Sequence, residues 1–144
     1  MARRSKSVVL SVVLAAACCW SATGIDIVQN GEAMATIVIP DKPFSCVDRA
    51  AQELQTYVRE ATGATLTSAA ESASIEGDRP RIYLGGCEAT RRAGITTDQL
   101  TRNGFIIKTV GNDLFLAGRD TPGIWYARDV IGSGTLLSVY NILD

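Results

Sequence analysis

The sequence contains no histidine, and this absence removes several common kinds of chemistry at once. Serine and cysteine nucleophiles are usually activated by an imidazole, and histidine is the commonest metal ligand in proteins. Only two of the four cysteines, Cys46 and Cys87, lie outside the N-terminal segment 1–24, and two thiols do not complete a tetrahedral zinc site. We therefore predict no catalytic residues, no metal site and no cofactor within this chain.

An excess of positive charge is also missing. The chain carries 14 lysines and arginines against 15 acidic residues, a net charge of −1. Three of the basic residues and none of the acidic ones lie in segment 1–24, so the remainder holds 11 basic and 15 acidic residues, a net charge of −4. Nucleic acids and anionic membrane surfaces are bound largely through clustered basic side chains, so we expect neither as a partner.

Segment 1–24 has the plan of a secretory signal peptide. A basic start at 3–6 precedes an apolar run over 8–17, and the small residues at 22–24 fit a cleavage site. The run is short of the roughly 20 residues of a membrane span, which disfavours a retained anchor. A lipoprotein signal is a third alternative, because Cys18 follows small residues. We expect a secreted or periplasmic protein, without membrane attachment unless Cys18 is lipidated.

Residues 25–144 have about the length of one domain and are too few for a (β/α)₈ barrel, which needs about 250. Their apolar patterns predict the order β-β-α-β-α-β-β-α. This order is typical of an α+β fold (an α/β sandwich) with helices packed on a mixed sheet. The predicted strands cover 25–28, 35–39, 81–84, 105–110 and 114–117, and the predicted helices cover 45–62, 87–93 and 134–144.

Turn chemistry sets the expected boundaries. Asn30 and Gly31 tolerate positive φ and predict a tight hairpin between the first two strands. Ser45 is the expected N-cap of the long helix, and Gly63 its expected left-handed stop. The segment 65–80, rich in small and polar residues, is predicted to be a solvated connection.

The loop over 118–134 carries the most informative exposed side chains. Trp125 and Tyr126 have three interpretations: a lid on their own core, an anchor at a domain interface, or a stacking surface for a sugar ring. The carboxylates Asp113, Asp120 and Asp129 lie in or near this loop among arginines. Ion pairing and solvation explain these carboxylates better than the paired acid and base of sugar hydrolysis.

Cys46 and Cys87 are predicted to meet at one edge of the sheet. If 35–39 and 81–84 are parallel strands joined by a right-handed crossover through the long helix, both strands end at the same edge. Cys46 follows the first strand and Cys87 the second, so topology brings them together, and an oxidising compartment permits a disulfide. The alternative is two unpaired thiols.

Four stretches carry a family resemblance: the helix and its glycine over 50–63, the segments 81–85 and 88–95, the hairpin 103–118, and the last helix 134–143. In their order and spacing they resemble the N-terminal domain that precedes the catalytic barrel in bacterial α-glucuronidases, and the similar domain of β-hexosaminidases. The resemblance covers nearly all of the chain after segment 1–24.

This resemblance implies a non-catalytic accessory domain, residues 25–144, in a secreted glycoside hydrolase. The catalytic carboxylates of such enzymes lie in the following barrel, so the implied partners are that barrel and a polysaccharide, and the chain alone is expected to be inactive. The apolar last helix stops at the end of the sequence, from which we expect an exposed apolar face and a truncation before the barrel. The alternative is a stand-alone secreted carbohydrate-binding module, with Trp125 and Tyr126 as its stacking platform.

Overall fold

A computed structural model describes residues 24–123 and 132–144 of the chain. The signal peptide prediction, and those on Trp125, Tyr126 and Asp129, lie outside the described residues. The strands are β1 (Val28–Gln29), β2 (Glu32–Ala33), β3 (Thr36–Ile39), β4 (Thr67–Ala70), β5 (Arg81–Leu84), β6 (Phe105–Val110) and β7 (Asp113–Gly118). The helices are α1 (Ser45–Thr62), α2 (Glu88–Arg92) and α3 (Gly134–Leu143).

Five strands form one mixed sheet in the order β4-β3-β5-β7-β6. The first four of these strands run parallel, and β6 pairs antiparallel with β7 through the tight turn at Gly111. This confirms the predicted class, a mixed sheet with helices packed on it. Antiparallel neighbours can be joined by a short turn, whereas parallel neighbours need a longer crossover connection. A tight turn therefore joins β6 directly to β7, and longer connections join the parallel strands.

The first hairpin confirms its turn and corrects one of its strands. Asn30 and Gly31 have φ values of 53° and 79°, as their turn requires. The partner of β1 is β2, however, and the predicted second strand over 35–39 is instead β3 of the main sheet. Ile37 and Val38 face opposite sides of the sheet and are both almost fully buried, which is typical of an inner parallel strand.

The segment 65–80, predicted to be a solvated connection, contains β4. This strand pairs parallel with β3 at the edge of the sheet, and its residues are exposed or half-buried. An edge strand with little cover on either face needs no apolar alternation, so its sequence resembles that of a loop. Leu66, fully buried just before β4, is the main apolar signal of its position.

The long helix has the predicted bounds. Its apolar stripe, which includes Val47, Ala50 and Leu54, is buried. Gly63 ends the helix in the left-handed conformation, with its N–H donating to the Arg59 carbonyl oxygen at 2.8 Å. The N-cap is Phe44 rather than Ser45, and no side-chain hydrogen bond caps this end of α1.

Alternate residues of each inner strand enter two apolar clusters, one on each face of the sheet. The first cluster joins Ile37, Ile82, Leu84 and Leu116 to α1 and α3. The second joins Val38, Tyr83 and Phe115 to Cys87 and the α2 region, and the rings of Tyr83 and Phe115 stack at 4.9 Å. The fold therefore has three layers: two helices, the sheet and one short helix.

The last helix is part of this core. It packs against α1, β6 and β7, and its Leu136 and Val139 are buried in the first cluster. Tyr140, Ile142 and Leu143 are half-buried against the same cluster. The expectation of an exposed apolar face was wrong, because α1 and the antiparallel hairpin together form a groove that holds the helix.

Candidate functional site

The carboxyl ends of the parallel strands bring three connections together. We call this region the carboxyl edge: residues 40–47 after β3, 85–87 after β5, and 118–123 after β7. A pocket of about 260 Å³ opens there, lined by residues of all three connections. Carboxyl ends of parallel strands are the usual location of ligand sites in open α/β sheets, so this pocket is the candidate site.

Asp120 is the most buried carboxylate of the carboxyl edge. It accepts hydrogen bonds from the Thr135 backbone N–H at 2.9 Å and from the Thr135 hydroxyl, and the Cys46 thiol also bonds to it. Burial raises the pKa of Asp120 above its ordinary value, and these hydrogen bonds oppose the shift. Because it satisfies free N–H groups at the start of α3, Asp120 acts as an external cap of that helix.

The two ends of the loop that carries Trp125 and Tyr126 are tied together at this edge. The Thr121 N–H donates to the Gly132 carbonyl oxygen at 3.0 Å, and the Gly132 N–H donates to the Thr121 hydroxyl at 2.7 Å. The Ser45 hydroxyl donates to the Gly123 carbonyl oxygen, which joins this stem to the start of α1. Both aromatic residues themselves lie outside the described residues.

Asp113 is the other predicted carboxylate that the structure describes. Its Oδ1 accepts the backbone N–H of Arg81 at 3.0 Å and so links the start of β7 to the start of β5. It lies at the opposite end of β7 from Asp120. The two carboxylates are therefore structural groups and do not form an acid–base pair.

The predicted disulfide between Cys46 and Cys87 is absent: both thiols are free and buried. The prediction correctly placed both cysteines at the carboxyl edge, but it did not consider on which face of the sheet each cysteine lies. Cys46 belongs to the first cluster, beneath α1, and Cys87 to the second, with its thiol 3.5 Å from the Leu84 carbonyl oxygen. The sheet lies between them, since α1 and α2 leave it on opposite sides. Burial raises the pKa of each thiol to about 12, which suppresses thiolate chemistry.

A larger open groove, about 640 Å³, lies on the face of the sheet that α2 covers. Its charged groups are already engaged with one another or with the backbone. Arg91 pairs with Glu88, and Asp41 accepts the Ser72 N–H at 3.0 Å. Hydrogen bonds from the Ser72 side chain and then from its backbone lower the pKa of Asp41. Glu71 accepts the backbone N–H of Glu88. The groove is therefore a solvated surface with internal pairs rather than a site with free groups.

The described residues contain no group of three or more side chains suited to hold a metal ion. Within the same ranges, no helix combines the length and hydropathy needed to cross a membrane.

One family model matches the chain, the N-terminus of glycosyl hydrolase family 67, over residues 27–128. The chain belongs to this family. The match covers the sheet through β7 and the start of the 118–134 loop, which agrees with the resemblance found in the helix, strand and hairpin patterns. No curated protein matches the chain.

The pocket of this family 67 domain has lining residues that sequence reasoning did not single out. Phe44 is 41% exposed, Lys42 is exposed, and both line the 260 Å³ pocket with Asp98. No motif links Asp98 to the other two, because more than one element separates them along the chain. The sequence held one weak signal: Phe44 directly precedes the predicted long helix, and no predicted element is placed to cover its side chain.

Proposed function

We propose that this family 67 domain is the accessory N-terminal domain of an α-glucuronidase-type glycoside hydrolase, and that it supports polysaccharide breakdown by a catalytic barrel of the same parent protein. The carrying observation is the family match over 27–128. The lack of histidine in the sequence, and the absence of a metal-binding group among the described residues, support a non-catalytic role. A domain of this kind contributes by packing on its neighbour and by positioning it.

The test is an assay of the purified chain against aryl glucuronides and aryl N-acetylhexosaminides. We expect no turnover above a blank without protein. The matched positive sample is the parent enzyme with its barrel, and the same enzyme without this domain measures what the domain adds. Turnover by the chain alone, or a parent enzyme whose activity and Tm are unchanged by removal of the domain, would refute the accessory role.

A second candidate is a carbohydrate-binding module that works through Trp125 and Tyr126. It is supported by the hydrogen-bonded stem at Thr121 and Gly132, which fixes where the loop leaves the carboxyl edge. Of the two tryptophans, Trp20 lies in segment 1–24, so a processed chain has Trp125 alone. Titration with polysaccharides, followed by tryptophan emission, separates this candidate from the first. If no glycan changes the tryptophan emission, the carbohydrate-binding candidate is ruled out.

We further propose that the chain is exported, on the basis of the basic start and apolar run of segment 1–24. Intact-mass measurement of the protein from an expressing bacterium tests this. Loss of segment 1–24 supports export, lipid attached to Cys18 assigns it to the lipoprotein route, and a full-length chain in the cytosol contradicts it.

A further inference from the structure

The carboxyl-edge pocket occupies the topological switch point of the sheet. The neighbouring strands β3 and β5 run parallel, and their connections leave in opposite directions. The chain after β3 enters α1, on the face of the first cluster, whereas the chain after β5 enters α2, on the face of the second. Such a divergence opens a crevice outside the strand ends, and open α/β sheets bind ligands there.

Three side chains around this crevice, Phe44, Lys42 and Asp98, are not consumed by the fold, whereas Asp120 is already bonded to Thr135 and Cys46. Phe44 keeps 41% of its surface exposed at the mouth, although it is a large apolar side chain at the start of a well-packed helix. Lys42 and Asp98 are exposed at the pocket, and none of the described ion pairs involves either of them. This distinguishes the pocket from the larger groove on the α2 face, where the charged side chains already have partners.

Gly85 lies beside two residues of the crevice, Val47 and Asp120. It has a φ of 74°, and a Cβ there would lie 3.0 Å from Val47 Cγ2 and 3.7 Å from Asp120 Oδ2. The absence of a side chain therefore keeps the β5 connection close to α1 and to Asp120. Asp120 itself lines the pocket.

We propose that this pocket binds a single neutral pyranose ring. An exposed aromatic ring packs against the C–H face of a sugar, carboxylates accept hydrogen bonds from its hydroxyls, and an ammonium donates to its oxygens. Phe44, the Asp98 carboxylate and the Lys42 ammonium supply these three kinds of group around one opening. Asp120 lines the same pocket beside Asp98, so the two acidic side chains outnumber the single ammonium of Lys42, and the pocket disfavours a negatively charged sugar.

The size of the pocket limits the ligand. Sites for drug-sized molecules enclose about 300–1,000 Å³, so 260 Å³ suits one ring rather than several. The ring is either a free monosaccharide or the terminal residue of a glycan chain. This inference does not rest on the proposed accessory role, because the site lies wholly within the described residues and needs no second domain.

The experiment is a titration of the isotope-labelled protein, followed by amide NMR. Free D-xylose and D-glucose represent the monosaccharide, their methyl β-pyranosides represent the end of a chain, and D-glucuronate represents a charged ring. We expect millimolar binding of the neutral sugars, weaker binding of D-glucuronate, and shifted amides in 40–47, 85–87, 97–98 and 118–120. Binding of the free sugars alone assigns the site to monosaccharides, whereas equal binding of the methyl pyranosides assigns it to chain ends.

Phe44→Ala should weaken binding of the neutral sugars by about tenfold, the effect of truncating an aromatic anchor. Tyr57→Ala is the matched control, because Tyr57 is a comparably exposed aromatic of α1, at 46%, outside the pocket. Lys42→Met is a second test of the site. It removes the ammonium at an exposed position, so it should also weaken binding of the neutral sugars without an effect on the core. The proposal is overturned by unshifted carboxyl-edge amides at high millimolar sugar, by tighter binding of D-glucuronate, or by equal losses in Phe44→Ala and Tyr57→Ala.

Discussion

At the scale of single residues, Asp120 shows how one side chain joins three elements. Its carboxylate holds Thr135 at the start of α3 and bonds to the Cys46 thiol at the start of α1, while its backbone continues from β7. A carboxylate this buried costs free energy in its charged form unless its hydrogen bonds compensate. The raised pKa indicates that burial outweighs those bonds.

This shift predicts a pH dependence of stability. An acid with a raised pKa in the folded state binds more protons there than in the unfolded chain, where it titrates near 3.8. Its contribution to stability is therefore complete below that value and is lost as pH rises through the folded pKa.

Asp120→Asn, which keeps an oxygen acceptor for the Thr135 N–H, should remove this decline from urea-unfolding free energies measured from acidic to neutral pH. The control is Asp98→Asn, which changes an exposed carboxylate of the same pocket. A pH profile of Asp120→Asn that superimposes on the original protein's would contradict the argument.

The two cysteines give a second prediction at this scale. Both thiols are buried, and their pKa values are raised to about 12, so neither should react with a thiol reagent while the protein is folded. In a chain without segment 1–24, both thiols should react after denaturation under non-reducing conditions. The prediction fails if denaturation exposes none, because the two cysteines would then be bonded in spite of the sheet between them.

At the scale of elements, the contact between β7 and α3 depends on glycine. A Cβ on Gly118 would lie 2.1 Å from the carbonyl carbon of Gly134, and one on Gly134 would lie 2.3 Å from the Gly104 carbonyl oxygen. The Gly118 N–H donates to the Thr135 hydroxyl at 3.0 Å across this contact. The helix therefore begins directly against the end of the strand, with no space for a side chain between the two backbones.

Gly118→Ala should consequently destabilise the fold by about 1–3 kcal/mol or more, the usual cost of overpacking where the backbone cannot yield. Gly86→Ala is the matched control, because a Cβ at Gly86 meets nothing within 4 Å. Chemical denaturation of both variants measures the difference. Equal stability of the two would mean that α3 moves freely away from β7.

The elements also show what sequence patterns can predict. The bounds of α1 follow from a single apolar stripe and a glycine stop, both local signals, and the β6–β7 hairpin follows from a turn between two apolar runs. The hairpin partner of β1 was assigned wrongly, because Asn30 and Gly31 predict a turn but do not define which strand follows it, whereas the parallel pairing of β3 with β5 agrees with the prediction. The strand β4 carries no clear pattern, since it is exposed at an edge. The carboxyl-edge pocket could not be predicted, because Phe44, Asp98 and Asp120 meet only through the order of the strands.

At the scale of the whole molecule, the three layers make α3 integral to this domain. The first cluster is closed on one side by α1 and on the other by Leu136 and Val139 of α3, over the inner strands. Without the helix, the buried side chains Leu84 and Leu116 would lose part of their cover. Each fully buried leucine contributes about 1.5–3 kcal/mol relative to an exposed one, which is a large share of the typical stability of a domain, about 5–15 kcal/mol.

The last prediction follows from this closure. A chain ending after Ser133 should lose cooperative unfolding and should aggregate or bind a dye for exposed apolar surface, whereas the full chain should unfold in one transition. Asn141→Ala is the control, because Asn141 is exposed on α3 and its change leaves the packed face intact. Circular dichroism during thermal unfolding and size-exclusion chromatography measure the two properties. A shortened chain that stays monomeric with an unchanged Tm would show that α3 is an appendage, and that the sheet with α1 and α2 forms a complete core without it.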